Sequence, residues 1–175
     1  EQLGTAMARL MAQTGLADVS IASGEIDAAF EAIDEAAAIA GTDATRMLQL
    51  DHLRILAQIA RGEAADARAG AEGVLARLLE RGIRAVAAET AILLATALRI
   101  EAGPDAARRI DAALATADRL IAETGARNLA PLVLLEPGRW LSQVRASPEL
   151  FIGNPPPVLR RFWLGSRVVL GLAGE

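Results

Sequence analysis

Cysteine, lysine and tyrosine are missing from this 175-residue chain, histidine occurs once, and aromatic residues make up only 3% of it. Without cysteine there is no disulfide, no thiolate nucleophile and no cysteine-ligated zinc. Without lysine a G-x-x-x-x-G-K-[ST] phosphate loop is impossible, and no G-x-G-x-x-G turn occurs either. Serine is sparse (Ser20, Ser23, Ser142, Ser147, Ser166), and none lies in a G-x-S-x-G setting. No uninterrupted apolar run approaches the roughly 20 residues that a membrane span needs, because charges such as Arg99 and Arg167 break the longest candidates. The first residues carry no basic start followed by an apolar run, so no signal peptide is expected and a cytoplasmic location is the base case. Glu1 is not an initiator methionine, so a piece of a longer chain is expected.

What the chain does have is alanine, which dominates a 53% hydrophobic content. Alanine is the best helix former, and its small side chain lets helices approach closely. All 18 basic residues are arginine, a bias that reads as genomic base composition rather than chemistry. Charge is uneven: residues 1–136 hold 13 arginines against 20 acids, whereas residues 137–175 hold 5 against 2. An acidic body repels phosphate backbones and lacks the interleaved aromatics that stack bases, so nucleic-acid binding is not expected.

Three glycines, Gly24, Gly62 and Gly103, each close one apolar helical stretch and open another, at separations of 38 and 41 residues. That is the period of stacked helical hairpins. After Gly24 the residues Ile26, Ala29, Phe30, Ile33, Ala36, Ala37 and Ala40 form one stripe, with Glu25, Asp27, Glu31 and Asp34 facing water. From about Thr42 to Arg61 there are two stripes, Leu48, His52, Ile55 and Ile59 beside Met47, Leu50, Leu53, Ala57 and Ala60, so this helix is sandwiched. An alanine-rich partner then buries Ala64, Ala67, Ala71, Val74, Leu75 and Leu78, although Gly70 and Gly73 each weaken it by roughly 1 kcal/mol. The third pair repeats the logic. Residues 84–102 are striped on two sides (Val86, Leu93, Ala97, Ile100; Ala87, Ala91, Leu94, Leu98), and the helix to about Thr124 buries Ala107, Ile110, Ala113, Leu114, Ala117, Leu120 and Ile121 on one. Two-sided helices alternating with one-sided helices are what a two-layer solenoid needs.

Catalytic constellations are absent. His52 has Asp51 beside it, but adjacent residues on a helix point about 100° apart and form no dyad. The plain reading of His52 is a hydrogen-bonded core or groove-edge histidine, and the functional one is contact with a partner. Carboxylate pairs such as Glu31 and Glu35 fall on solvated faces where nothing perturbs them. One histidine and no cysteine cannot build the usual zinc sets, so no metal or other cofactor is expected.

The stretch GEIDAAFEAIDEA at 24–36 resembles the glycine turn and second helix of a tetratricopeptide unit, with Ala29, Ile33 and Ala36 at that family's packing positions. Residues 88–127 are similar to a whole repeat of the slightly longer kind found at the C-terminal end of some bacterial adenylate or guanylate cyclases and large ATP-dependent regulators. The resemblance spans roughly residues 5–145. The aromatic residues usual in the first helices of that family are not found at 43–61 or 84–102, which makes these divergent repeats. It implies an all-α, tetratricopeptide-like α-α superhelix with first helices lining a concave side, where Gln49, His52 and Thr90 would offer polar contacts among apolar neighbours. Equally, these three residues merely cap or cross-link the inner layer.

The array is expected over residues 1–145, followed at 146–175 by a Pro-rich turn (Pro155–Pro157) and a C-terminal capping segment. There Trp140, Phe151, Phe162 and Trp163 would cover the last repeat, with a short basic helix over 158–170. An altered reading frame through this tail is the other reading. The function implied is a non-catalytic protein-interaction or regulatory module of a multidomain bacterial signalling protein, binding a protein partner or another domain of its own chain. A repeat domain of a large transcriptional regulator, and a small all-α ligand-binding domain or enzyme, are the alternatives. Self-association through an incompletely capped last repeat is a further expectation.

Overall fold

A helix ends where its last carbonyls find other donors, and the turns at Gly24 and Gly62 do this in the same way. The Gly24 amide donates to the Ile21 carbonyl and the Glu25 amide to the Ser20 carbonyl (3.2 and 2.8 Å). At the next turn Gly62 donates to Ile59 and Glu63 to Gln58 (3.1 and 2.9 Å). Both glycines have positive φ, 81° and 85°, which a side chain would resist.

The computed structural model describes residues 2–103, 105–136 and 139. Their elements are all helical: α1 (Gln2–Ser23), α2 (Ile26–Ala40), α3 (Ala44–Arg61), α4 (Ala64–Glu80), α5 (Arg84–Glu101) and α6 (Ala106–Thr124), then a 3-10 turn (Arg127–Leu129) and helix over 130–136. No strand occurs among the described residues. The expected tail, with its proline turn, aromatic cap and domain boundary at 145/146, lies outside them. The chain divides into two compact units, Glu1–Arg81 and Gly82–Glu175.

In the first unit α1 pairs with α2 and α3 with α4, while α2 and α1 both pack on α3. The core joins Leu10 and Ala17 of α1, Ala32, Ile33 and Ala36 of α2, and Leu50, Leu53 and Ala57 of α3. The two hairpins are the same design 38 residues apart with volumes exchanged. The pair Ala17 and Ala32 of the first corresponds to Ile55 and Gly70 of the second, and Ile33 and Ala36 correspond to Ala71 and Val74. A Cβ at Gly70 would lie 3.3 Å from Ile55 Cγ1, so the larger α3 residue fits more easily because α4 carries no side chain there. On the outer surface α2 is tied to α3 by Arg54 to Asp34 (2.6 Å) and Arg61 to Asp27, with both guanidinium groups over the Phe30 ring.

α3 starts at Ala44 rather than at the expected Thr42, because the Asp43 carboxylate accepts from the Thr45 and Arg46 amides (3.0 and 3.2 Å) and so caps the helix. α5 stops at Glu101, one residue before the expected end. The positive-φ position of that turn is Ala102 (φ 48°, ψ 147°), not Gly103. This turn is built differently from those at Gly24 and Gly62, because the Ala102 amide donates to the Leu98 carbonyl (3.2 Å), four residues back, and its ψ of 147° is far from the 12° of Gly62.

In the second unit α5 packs on α6, and Arg84 pairs with Glu123 across them (3.1 Å). Beyond the 3-10 turn, Leu129, Val133 and Glu136 are buried at helical spacing, while Leu132, Leu134 and Leu135 are exposed. Glu136, 2% exposed, accepts from Arg99 of α5 (2.9 Å) and Arg139 (2.8 Å). Its carboxylate is thus buried with its countercharge supplied from both sides.

Candidate partner-binding groove

α1 and α3 lie side by side, and residues spaced one helical turn apart on each face the seam: Leu10, Met11 and Thr14 from α1, and Arg46, Gln49 and Leu50 from α3. Together they line a groove of about 200 Å³. Its floor is apolar, with Leu10 and Leu50 both buried. Met11, at the rim, is 68% exposed.

The polar groups of the groove are largely committed. Thr14 donates its hydroxyl to the Leu10 carbonyl (2.8 Å). Arg46 donates to Asp43 Oδ2 (2.9 Å) and reaches the Met7 sulfur (3.0 Å). Asp43 is held below the usual carboxylate range, first by the backbone hydrogen bond from Arg46 and further by that residue's side chain and the Thr45 amide. The guanidinium of Arg46 therefore brings its own counter-ion. Gln49 is exposed and carries both an amide donor and a carbonyl acceptor into the seam.

His52 follows Gln49 by three residues on α3 and is half-buried. Burial pushes its pKa below the ordinary value, and the Asp18 carboxylate of α1 opposes that. The neighbouring Asp51 directs its carboxylate elsewhere, to Arg77 of α4 (2.8 Å). Thr90 belongs to α5 in the second unit, is fully buried, and donates to the Val86 carbonyl (2.9 Å). Of the three residues singled out from the sequence, Gln49 lines the groove, His52 continues its helix face, and Thr90 has no surface to offer a partner.

The α1 contributors were not read from the sequence, although a signal for them exists. Subtracting the 38-residue period from Gln49 and His52 gives Met11 and Thr14. Arg46 was missed because its position depends on the Asp43 cap.

Among the described residues no three acidic or histidine side chains converge to hold a metal ion, and no helix is long and apolar enough to cross a membrane. The titratable groups with shifted values are scattered: Asp43 at a helix start, His52 between α1 and α3, and Glu89 of α5, raised by burial. Comparison with protein-family models, with curated proteins and with solved structures finds no match, so function has to be read from the groove itself.

Proposed function

We propose that this chain is a non-catalytic interaction module of the tetratricopeptide-like kind, and that the seam between α1 and α3 receives an apolar side chain of a protein partner. The observation that carries this reading is the groove: an apolar floor of Leu10 and Leu50, a flexible methionine rim, and one uncommitted amide at Gln49. Methionine suits such a role because its unbranched thioether adapts to differently shaped side chains. A volume of about 200 Å³ lies below the roughly 300–1,000 Å³ of small-molecule pockets. It suits one or two peptide side chains better than a cofactor or substrate. Residues 1–81 hold 7 arginines against 13 acids, which argues against a nucleic-acid partner. The resemblance to cyclase-type repeats supports a regulatory place in a larger cytoplasmic signalling protein, where the partner is another protein or another domain of the same chain.

An arrayed library of uncharged and basic peptides with single apolar anchors tests the reading. Peptides should be retained by the parent chain and released at least tenfold faster from Met11→Ala and Gln49→Ala, two rim substitutions that leave the melting temperature in place. A library with no retained peptide, or retention indifferent to both substitutions, would falsify it.

A further inference from the structure

The chain has no cysteine, so its sulfur chemistry rests on three methionines, Met7 and Met11 of α1 and Met47 of α3. Their surroundings differ. Met47 is half-buried against the core of the first unit, and Met11 stands 68% exposed at the groove rim. Met7, one turn before Met11 and 40% exposed, has its sulfur 3.0 Å from Arg46 Nη1 of α3.

That guanidinium is held from behind. Its Nε donates to Asp43 Oδ2 (2.9 Å), while Oδ1 of the same carboxylate is fixed by the Thr45 and Arg46 amides (3.0 and 3.2 Å). A charged donor at the start of α3 is thereby aimed at a thioether of α1, beside the groove. Thioether sulfur is a weak acceptor, so the donor gains little from it. One oxygen added to the sulfur changes this, because a sulfoxide is polar and its oxygen can accept a charge-assisted hydrogen bond, roughly twice as strong as a neutral one.

We propose that Met7 is a reversible oxidation site whose sulfoxide is received by Arg46, so that oxidation ties α1 to α3 instead of loosening them. In the forward step a sulfur lone pair attacks one oxygen of hydrogen peroxide, forming the S–O bond as the O–O bond breaks. The departing hydroxide takes the proton of the transferred oxygen and leaves as water, and the thioether has lost two electrons. In the return step a dithiol supplied by a methionine sulfoxide reductase gives up two electrons and becomes a disulfide, and the oxygen leaves as water. The thiols come from outside, since this chain has none. Met7 is exposed enough to meet both reagents, and its unbranched side chain can shift to make room for the oxygen. Oxidation of Met47 has the opposite sign, because there the oxygen would stand against the apolar core. The response at Met7 requires no bound peptide.

A chain carrying Met11→Leu and Met47→Leu, both volume-conserving changes, leaves Met7 as its one methionine. Dilute hydrogen peroxide should add a single oxygen to it by intact mass. The oxidised chain should melt about 2–4 °C higher than the untreated one, the rise expected for one good hydrogen bond in a chain of this size. With Arg46→Leu added, the same oxidation should lower the melting temperature, because the sulfoxide has lost its donor. Methionine sulfoxide reductases for both epimers, with dithiothreitol, should reverse each shift. Met7→Gln in the otherwise native chain presents a carbonyl acceptor at similar reach and needs no oxidant. It should melt at least as high as the parent, and lower than Arg46→Leu when combined with that change. Oxidation or Met7→Gln that lowers the melting temperature equally with and without Arg46, a Met7 that peroxide leaves unmodified in the folded chain, or a sulfoxide that the reductases cannot remove would each overturn the proposal.

Discussion

Ala102 is the most strained backbone position among the described residues, with a φ of 48° and a ψ of 147° that glycine adopts far more readily. The sequence places glycine one residue later, so the chain turns on the wrong side chain. Ala102→Gly should stabilise the fold by about 1 kcal/mol, the strain released less the entropy glycine adds to the unfolded chain. Chemical denaturation of the two proteins measures this, and a loss of stability would show that the turn is not strained. His52 supplies a pH dependence. Its folded pKa lies below its ordinary value of 6.5 because burial disfavours the imidazolium, so between those two values the unfolded chain binds more protons than the folded one. Stability should therefore fall as pH drops below about 6.5 and continue falling to the folded pKa. His52→Gln should flatten that limb of a pH–stability profile, and Asp18→Asn, which removes the opposing charge, should extend it to lower pH. Asp43 works at still lower pH in the sense usual for a carboxylate. Its contribution is intact above 3.8 and disappears as pH falls through its lowered folded value.

At the scale of elements, the two glycines inside α4 look alike in sequence and differ in surroundings. Gly73 has open space where a Cβ would go, so Gly73→Ala should add close to the full helix-propensity difference of about 1 kcal/mol. Gly70 faces Ile55 at 3.3 Å, so the same change there should gain little or lose stability as α3 and α4 are forced apart. Equal gains at both positions would contradict the close approach of these helices. The latch between α5 and the last described helix has a larger effect. Glu136→Ala leaves the partly buried Arg99 without its counter-ion and should cost about 2–4 kcal/mol, whereas replacing Arg99 and Glu136 together by leucine should recover most of it. A double-mutant cycle in denaturant separates the two cases.

For the whole molecule, the principal helix packings join elements that are close in sequence. Contacts this local give fast folding, and the main refolding phase should be complete within about 10 ms in stopped flow. A main phase lasting seconds would point to packing between distant segments. Much of this organisation is legible in the residues. The single stripe of α2, with Ala29, Ile33 and Ala36 buried, and the double stripe of α3, with Leu48 and Ile55 beside Leu50, Leu53 and Ala57, follow from helical period alone. The same period misplaces Ile100, which is exposed, and gives no hint of Asp111, a carboxylate buried on α6 among Ile110, Ala113 and Leu114. A periodicity records which residues are apolar, whereas burial depends on what stands opposite.

The sequence by itself determined the helices, the turns at Gly24 and Gly62 and the alternation of one-sided with two-sided faces, because each of these depends on residues within a turn or two of one another. Only the tertiary structure decided that Gln49 stands at a groove with Met11 and Arg46, that Thr90 is sealed inside, that Arg99 finds Glu136, and that the Met7 sulfur lies against Arg46. Each of those facts joins or separates residues brought together by packing, and packing depends on volumes meeting across two helices, a quantity that no single stretch of chain contains.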